Sequence, residues 1–114
     1  MGQEKITRQL TAIAKRQGEV VEGVACAGTE VESLTFKVGV KTFLFIGPGS
    51  IRLKLGPSLS EAEQLAKMDS ARYRVGAQGW VKIAISDGDP PPLDLLQRWI
   101  AESYGLFAKR IKKR

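Results

Sequence analysis

The hydrophobic positions of this chain switch between two spacings, and the switches divide it into elements. From Pro90 to Lys109, Leu93, Leu96, Ile100, Ser103 and Phe107 recur at steps of three and four, with Trp99 and Tyr104 on the flanks. That spacing predicts an amphipathic helix, opened by Asp89 as a cap and by Pro90, Pro91 and Pro92. Ile6, Leu10, Ile13, Ala14 and Gln17 share one side of a first helix over 4–17, which Gly18 ends. Elsewhere the period is two. Leu34–Val38, Ser50–Leu55 and Trp80–Ile85 alternate as strands with one polar face, and Lys41–Ile46 reads as a strand between the first two, the three joined by short turns into an antiparallel meander. Phe36, Leu53, Ile83, Leu96 and Ile100 are expected to be buried.

The remaining segments are less regular. Glu19–Glu32 has no clear period and reads as extended or irregular. Ser60 followed by Glu63 matches a capping box at the start of a short helix through Met68, with Leu59, Ala62, Leu65, Ala66 and Met68 inward. Asp69–Gly79 reads as a loop. The order helix, three strands, helix, strand, helix predicts an α+β domain, an antiparallel sheet of about four or more strands with helices on one face. If Ile51, Leu53, Leu55, Val81, Ile83 and Ile85 meet the helices, then Thr35, Lys37, Arg52, Lys54, Trp80 and Lys82 share the opposite face.

Length changes this picture little: 114 residues suit one domain over 1–114 that buries a core without a structural metal. The apolar run Phe43–Ile46 is far too short to span a bilayer, and with one cysteine, Cys26, no intramolecular disulfide is available. Both features fit a cytoplasmic protein with no membrane association. The net charge of +6 allows nucleic acid or an acidic protein surface as partner. Five of the basic residues lie in the tail 109–114, which reads first as a solubilising terminus.

Several motifs, taken in order, carry a resemblance: Glu22-Gly23-Val24-Ala25-Cys26, Thr35-Phe36-Lys37-Val38, Lys41-Thr42-Phe43-Leu44-Phe45, Arg52-Leu53-Lys54-Leu55, Gly79-Trp80-Val81 and Trp99-Ile100-Ala101-Glu102-Ser103-Tyr104. Together, from about Glu19 to Lys109, the chain resembles the MmcQ/YjbR family. The resemblance implies a compact α+β fold of the kind shared with secretion chaperones. It implies no established enzymatic activity, and it brings a suggested role in DNA binding through a pair of β-rich wings. It also sets Glu102 beside Ser103 and Tyr104, where the carboxylate would hold a structural hydrogen bond. The absence of histidine sets the chain apart from many relatives.

Without histidine there is no Ser-His or Cys-His nucleophile pair and no histidine metal site. Cys26 lies among small apolar residues and reads as a packed thiol. Glu30 with Glu32 reads as solvated, and Glu61 with Glu63 suits a helix N-terminus. Gly47-Pro48-Gly49 is a turn, since it lacks the lysine and the following helix of a phosphate loop. Trp99 and Tyr104 read as core or core edge. One constellation points to a ligand. Lys37, Arg52, Lys54 and Lys82 are expected on the helix-free sheet face with an exposed Trp80, and Arg72, Tyr73 and Arg74 in the loop leading to it. Cations attract phosphates and exposed aromatics stack on bases. The expected function is therefore a non-enzymatic, cofactor-free domain binding DNA or another nucleic acid, as a monomer or weak homodimer. A protein-interaction or chaperone-like module is the alternative.

Overall fold

The computed structural model describes residues 2–25, 27–29, 32–47, 49–85 and 92–112, with side chains for those between 5 and 108. Three helices and six strands follow in order: α1 (Gly2–Lys15), β1 (Val21–Ala25), β2 (Ser33–Val38), β3 (Lys41–Gly47), β4 (Ser50–Lys54), α2 (Leu59–Met68), β5 (Tyr73–Val75), β6 (Trp80–Ala84) and α3 (Leu93–Lys112). The strands form one antiparallel sheet in the order β1-β2-β3-β4-β6-β5. The fold is α+β, as the alternation predicts.

The sheet is wider than the sequence suggests. The stretch without a clear period holds β1, which pairs with β2 from Val21 opposite Lys37 to Ala25 opposite Ser33. The expected loop after α2 holds β5, an edge strand along β6. Both are short outer strands, whose sequence is not constrained by neighbours on two sides.

Phe36, Leu53, Ile83, Leu96 and Ile100 are buried in one core with Trp99, Phe43, Leu44 and the inner face of α1 (Ile6, Leu10, Ile13, Ala14). Adjacent Phe43 and Leu44 are both fully buried, which strict alternation forbids. The register explains it. Phe36 faces Leu44 while Lys37 faces Thr42, so Phe43 is an extra residue with no opposite number, a β-bulge that redirects its side chain. The β2–β3 turn uses Gly39 at φ 65, and positive φ is confined to that position, so the exposed Val40 sits where a β-branched residue is tolerated.

Two helix starts differ from the sequence reading. The capping box does not form: α2 begins at Leu59, and Ser58 at its cap makes no side-chain capping bond. Met68 is exposed rather than inward. Helix α3 begins at Leu93, with the Leu96 amide donating to the Pro92 carbonyl; Asp89, Pro90 and Pro91 lie outside the described residues, as do Cys26, Glu30 and Pro48.

A single 3₁₀ turn at Ala77–Gly79 leads into β6. Gly79 has φ 88, and a Cβ there would lie 2.6 Å from the Leu55 carbonyl oxygen; the Leu55 amide donates to the Gly79 carbonyl at 2.9 Å. Gly79→Ala is expected to lower stability by about 1–3 kcal/mol, through both the left-handed backbone and the collision. Urea unfolding measures it, and a loss near zero would mean that the turn adopts another conformation.

Candidate nucleic-acid interface

The strand registers set the side chains of one sheet face in rows, beginning at the buried Thr35. Thr35 on β2 faces Phe45 on β3, Phe45 faces Arg52 on β4, Arg52 faces Lys82 on β6, and Lys82 faces Arg74 on β5. The last three members are exposed cations on adjacent strands, about 5 Å apart, with no carboxylate in the row. Like charges directly opposite each other destabilise a sheet, by roughly the 0.2–1 kcal/mol that a favourable pair contributes. The Arg52 guanidinium also lies over the Phe45 ring, 4.6 Å from its centroid. Arg72 continues the alternation of β5 on the same side, and its carbonyl accepts from the Ala84 amide at 2.8 Å, which holds it against β6. Asp69 approaches Arg72 at 3.8 Å.

The next row carries Lys54 opposite Trp80, then Ser50 opposite Ala84 at the other end. Small side chains at Ser50 and Ala84 leave a hollow beside the cations. Gly49, Ser50 and Ala84, with Arg72, Arg74 and Lys82, line an open cavity of about 310 Å³.

Three expected site residues are placed differently. Tyr73 is buried, its ring 6.1 Å from Trp99 at 72°. Trp80 is half-buried between Phe45 (6.0 Å) and Phe107 (6.3 Å) rather than an exposed platform. Lys54 is half-buried as well, its ammonium 5.7 Å from the Phe107 ring. Helix α3 is the cause, because its C-terminal half comes round against the Lys54–Trp80 pair. Lys37 is exposed on β2, away from the Arg52–Lys82–Arg74 row. The side chains of the tail 109–114 lie outside the described residues. The hollow itself was missed in the sequence, and its only signal there is the two small residues Ser50 and Ala84 at outward positions.

Glu102, Ser103 and Tyr104 do structural work. The Glu102 carboxylate accepts from the Gly56 amide at 2.8 Å and the Ser58 amide at 2.9 Å, satisfying the entrance of α2 from across the fold. Ser103 accepts from the Lys54 amide at 3.1 Å and donates to the Phe43 carbonyl at 2.6 Å. Tyr104 meets Phe43 edge-on at 5.3 Å. Glu61, read from sequence as a helix-dipole residue, also accepts from the Trp99 indole at 3.2 Å and lies 3.5 Å from Arg98. Among the described residues no three Cys, Asp or Glu side chains gather as a metal site.

Partial burial pushes the Glu102 carboxyl up, but hydrogen bonds from the Ser58 hydroxyl and amide and from the Gly56 amide, with the Arg98 charge, outweigh it and hold the group below its ordinary value. A carboxyl whose folded pKa is depressed stabilises the fold above the unfolded value, about 4.3, and that contribution is lost as pH falls through the lower folded value. Stability should therefore decline below about pH 5. Glu102→Gln should flatten part of that decline, as read by urea midpoints at several pH values; an unchanged pH profile would assign it to other carboxylates.

A scan against family models matches one, described as YjbR, over residues 17–106. No curated protein and no solved structure matches the chain. Among the described residues no helix is long and apolar enough to cross a membrane.

Proposed function

The chain belongs to the YjbR family, and from that premise we propose that it is a non-enzymatic, cytoplasmic nucleic-acid-binding domain that docks on phosphates through Arg52, Lys82 and Arg74, with Arg72 beside them. The observation that carries this reading is the cross-strand register. It stacks three exposed cations on neighbouring strands, at a cost to the sheet that phosphate oxygens would offset. With Tyr73 buried and Trp80 half-covered, base stacking contributes little. Contacts to the backbone position a protein without reading sequence, so binding should be weakly selective.

Binding to duplex DNA should weaken with salt, with a log–log slope of about −0.9 per phosphate neutralised. Replacing Arg52, Arg74 and Lys82 together by alanine should lower affinity at least about tenfold at low salt and flatten the slope. Changing Lys112, Lys113 and Arg114 to glutamine should alter either quantity little. The reverse pattern would assign binding to the tail, and no binding at low salt would end the reading. The second reading, a protein-interaction module, has its own observation: Val21 and Val24 are 60% and 52% exposed on the edge strand β1. It takes first place if DNA does not bind.

A further inference from the structure

The cavity beside the cation row differs from the row in shape, and the difference bears on what it would hold. Arg52, Lys82 and Arg74 form an open ladder along which a backbone could run. The hollow of about 310 Å³ lies to one side, floored by Gly49, Ser50 and Ala84 and walled by Arg72, Arg74 and Lys82. That volume is at the lower end of small-ligand pockets, the size of one nucleotide rather than of a strand. Its charge is also specific. Arg72 is held in place, its side chain only 14% exposed and its backbone bonded to Ala84, with Asp69 offsetting one of the three positive charges. Neither Arg74 nor Lys82 has an ion-pair partner among the described residues. Two exposed cations beside Arg72 suit a phosphate monoester, which carries about −1.5 to −2 at neutral pH, better than the single charge of a backbone diester. The Ser50 hydroxyl adds a donor at the floor.

We infer that this cavity receives the phosphate monoester of a single nucleotide, supplied either by the end of a strand or by a free mononucleotide. This rests on the nucleic-acid reading and names the group that the site selects. The small floor gives room for the group, the two arginines flank it, and Lys82 joins the pocket to the ladder that would carry the adjoining backbone.

Fluorescence anisotropy with single-stranded oligonucleotides of one sequence, bearing a phosphate at the 5′ end, at the 3′ end or at neither, tests the inference. One phosphorylated form should bind at least about tenfold more tightly than the unphosphorylated strand. Ala84→Leu, which fills the floor and changes no charge, should remove that preference while leaving the binding of the unphosphorylated strand and its salt slope in place. Thermal melting checks that the variant is folded, and Lys82→Gln gives a second variant that should reduce the preference. Competition by adenosine 5′-monophosphate separates the sources: displacement at matching concentrations assigns the pocket to free nucleotide, and displacement only by phosphorylated strand assigns it to strand ends. Equal binding of all three oligonucleotides overturns the inference and leaves the nucleic-acid reading standing. Binding of the mononucleotide with no binding of any strand overturns the nucleic-acid reading and the strand-end source with it, and confines the pocket to free nucleotide. No binding of any of them ends both.

Discussion

Trp99→Ala should cost about 3–5 kcal/mol, as do other truncations of large aromatic core residues, and at the marginal stability of a domain this size that leaves much of the protein unfolded at 37 °C. Trp99 is fully buried, the largest such side chain in the core, and it does three things at once. Its ring meets Tyr73 edge-on, tying α3 to the edge strand β5, and its indole N–H donates to Glu61, tying α3 to α2. Its bulk fills the space between them. Trp99→Phe separates these contributions. The ring contact survives and the indole donor is lost, but Glu61 is partly exposed and regains water, so the loss should be only about 1–2 kcal/mol. Urea midpoints with unchanged m-values would establish both numbers. A loss below 1 kcal/mol for Trp99→Ala would mean that Trp99 does not lie in the core.

The second large effect is expected at Ser103. The β3–β4 ladder pairs Leu44 with Leu53, so its next rung would join Phe43 to Lys54. Instead the Ser103 hydroxyl stands between them, taking the Lys54 amide and giving its proton to the Phe43 carbonyl. Ser103→Ala leaves both backbone groups without partners, the Phe43 carbonyl buried and the Lys54 amide partly so. At about 1–3 kcal/mol for each orphaned group, the cost should be about 2–6 kcal/mol. Ser103→Thr keeps the hydroxyl and should recover part of it. If the strands instead close and bond directly, Ser103→Ala will be nearly neutral, and hydrogen exchange at the Lys54 amide will show protection equal to that of the parent.

Those two sites show what was legible in the sequence. The three-four spacing over 93–107 marks α3, and alternation marks β2, β4 and β6, because burial of one face imposes a period. Trp99 is readable as core for the same reason. Nothing in the spacing reveals that Ser103 replaces a rung of the sheet, since that depends on the bulge at Phe43, and a bulge is invisible until two strands are aligned. Its placement among core positions is the one hint. The edge strands escape for a different reason: β1 carries Glu22 and Gly23 between valines, and β5 is three residues long, too short for any period. Alternation sets Arg52, Lys54 and Lys82 on one face and leaves Arg74 in a loop, whereas the row of Arg52, Lys82 and Arg74, and the place of Lys54 against Phe107, depend on the register and the path of α3.

Helix α3 follows in the chain every strand that it touches, and β2, β3 and β4 all lean on it. On a ribosome the meander therefore emerges with its apolar face bare, and the rung between Phe43 and Lys54 has no hydroxyl to complete it. Synthesis proceeds at about 5–20 residues per second, so the roughly fifty residues between Lys54 and Ser103 represent several seconds during which a sticky half-sheet waits for its cover. A nascent chain stalled before Trp99 should be protease-sensitive and should retain holdase chaperones, and extending it past Phe107 should release both together.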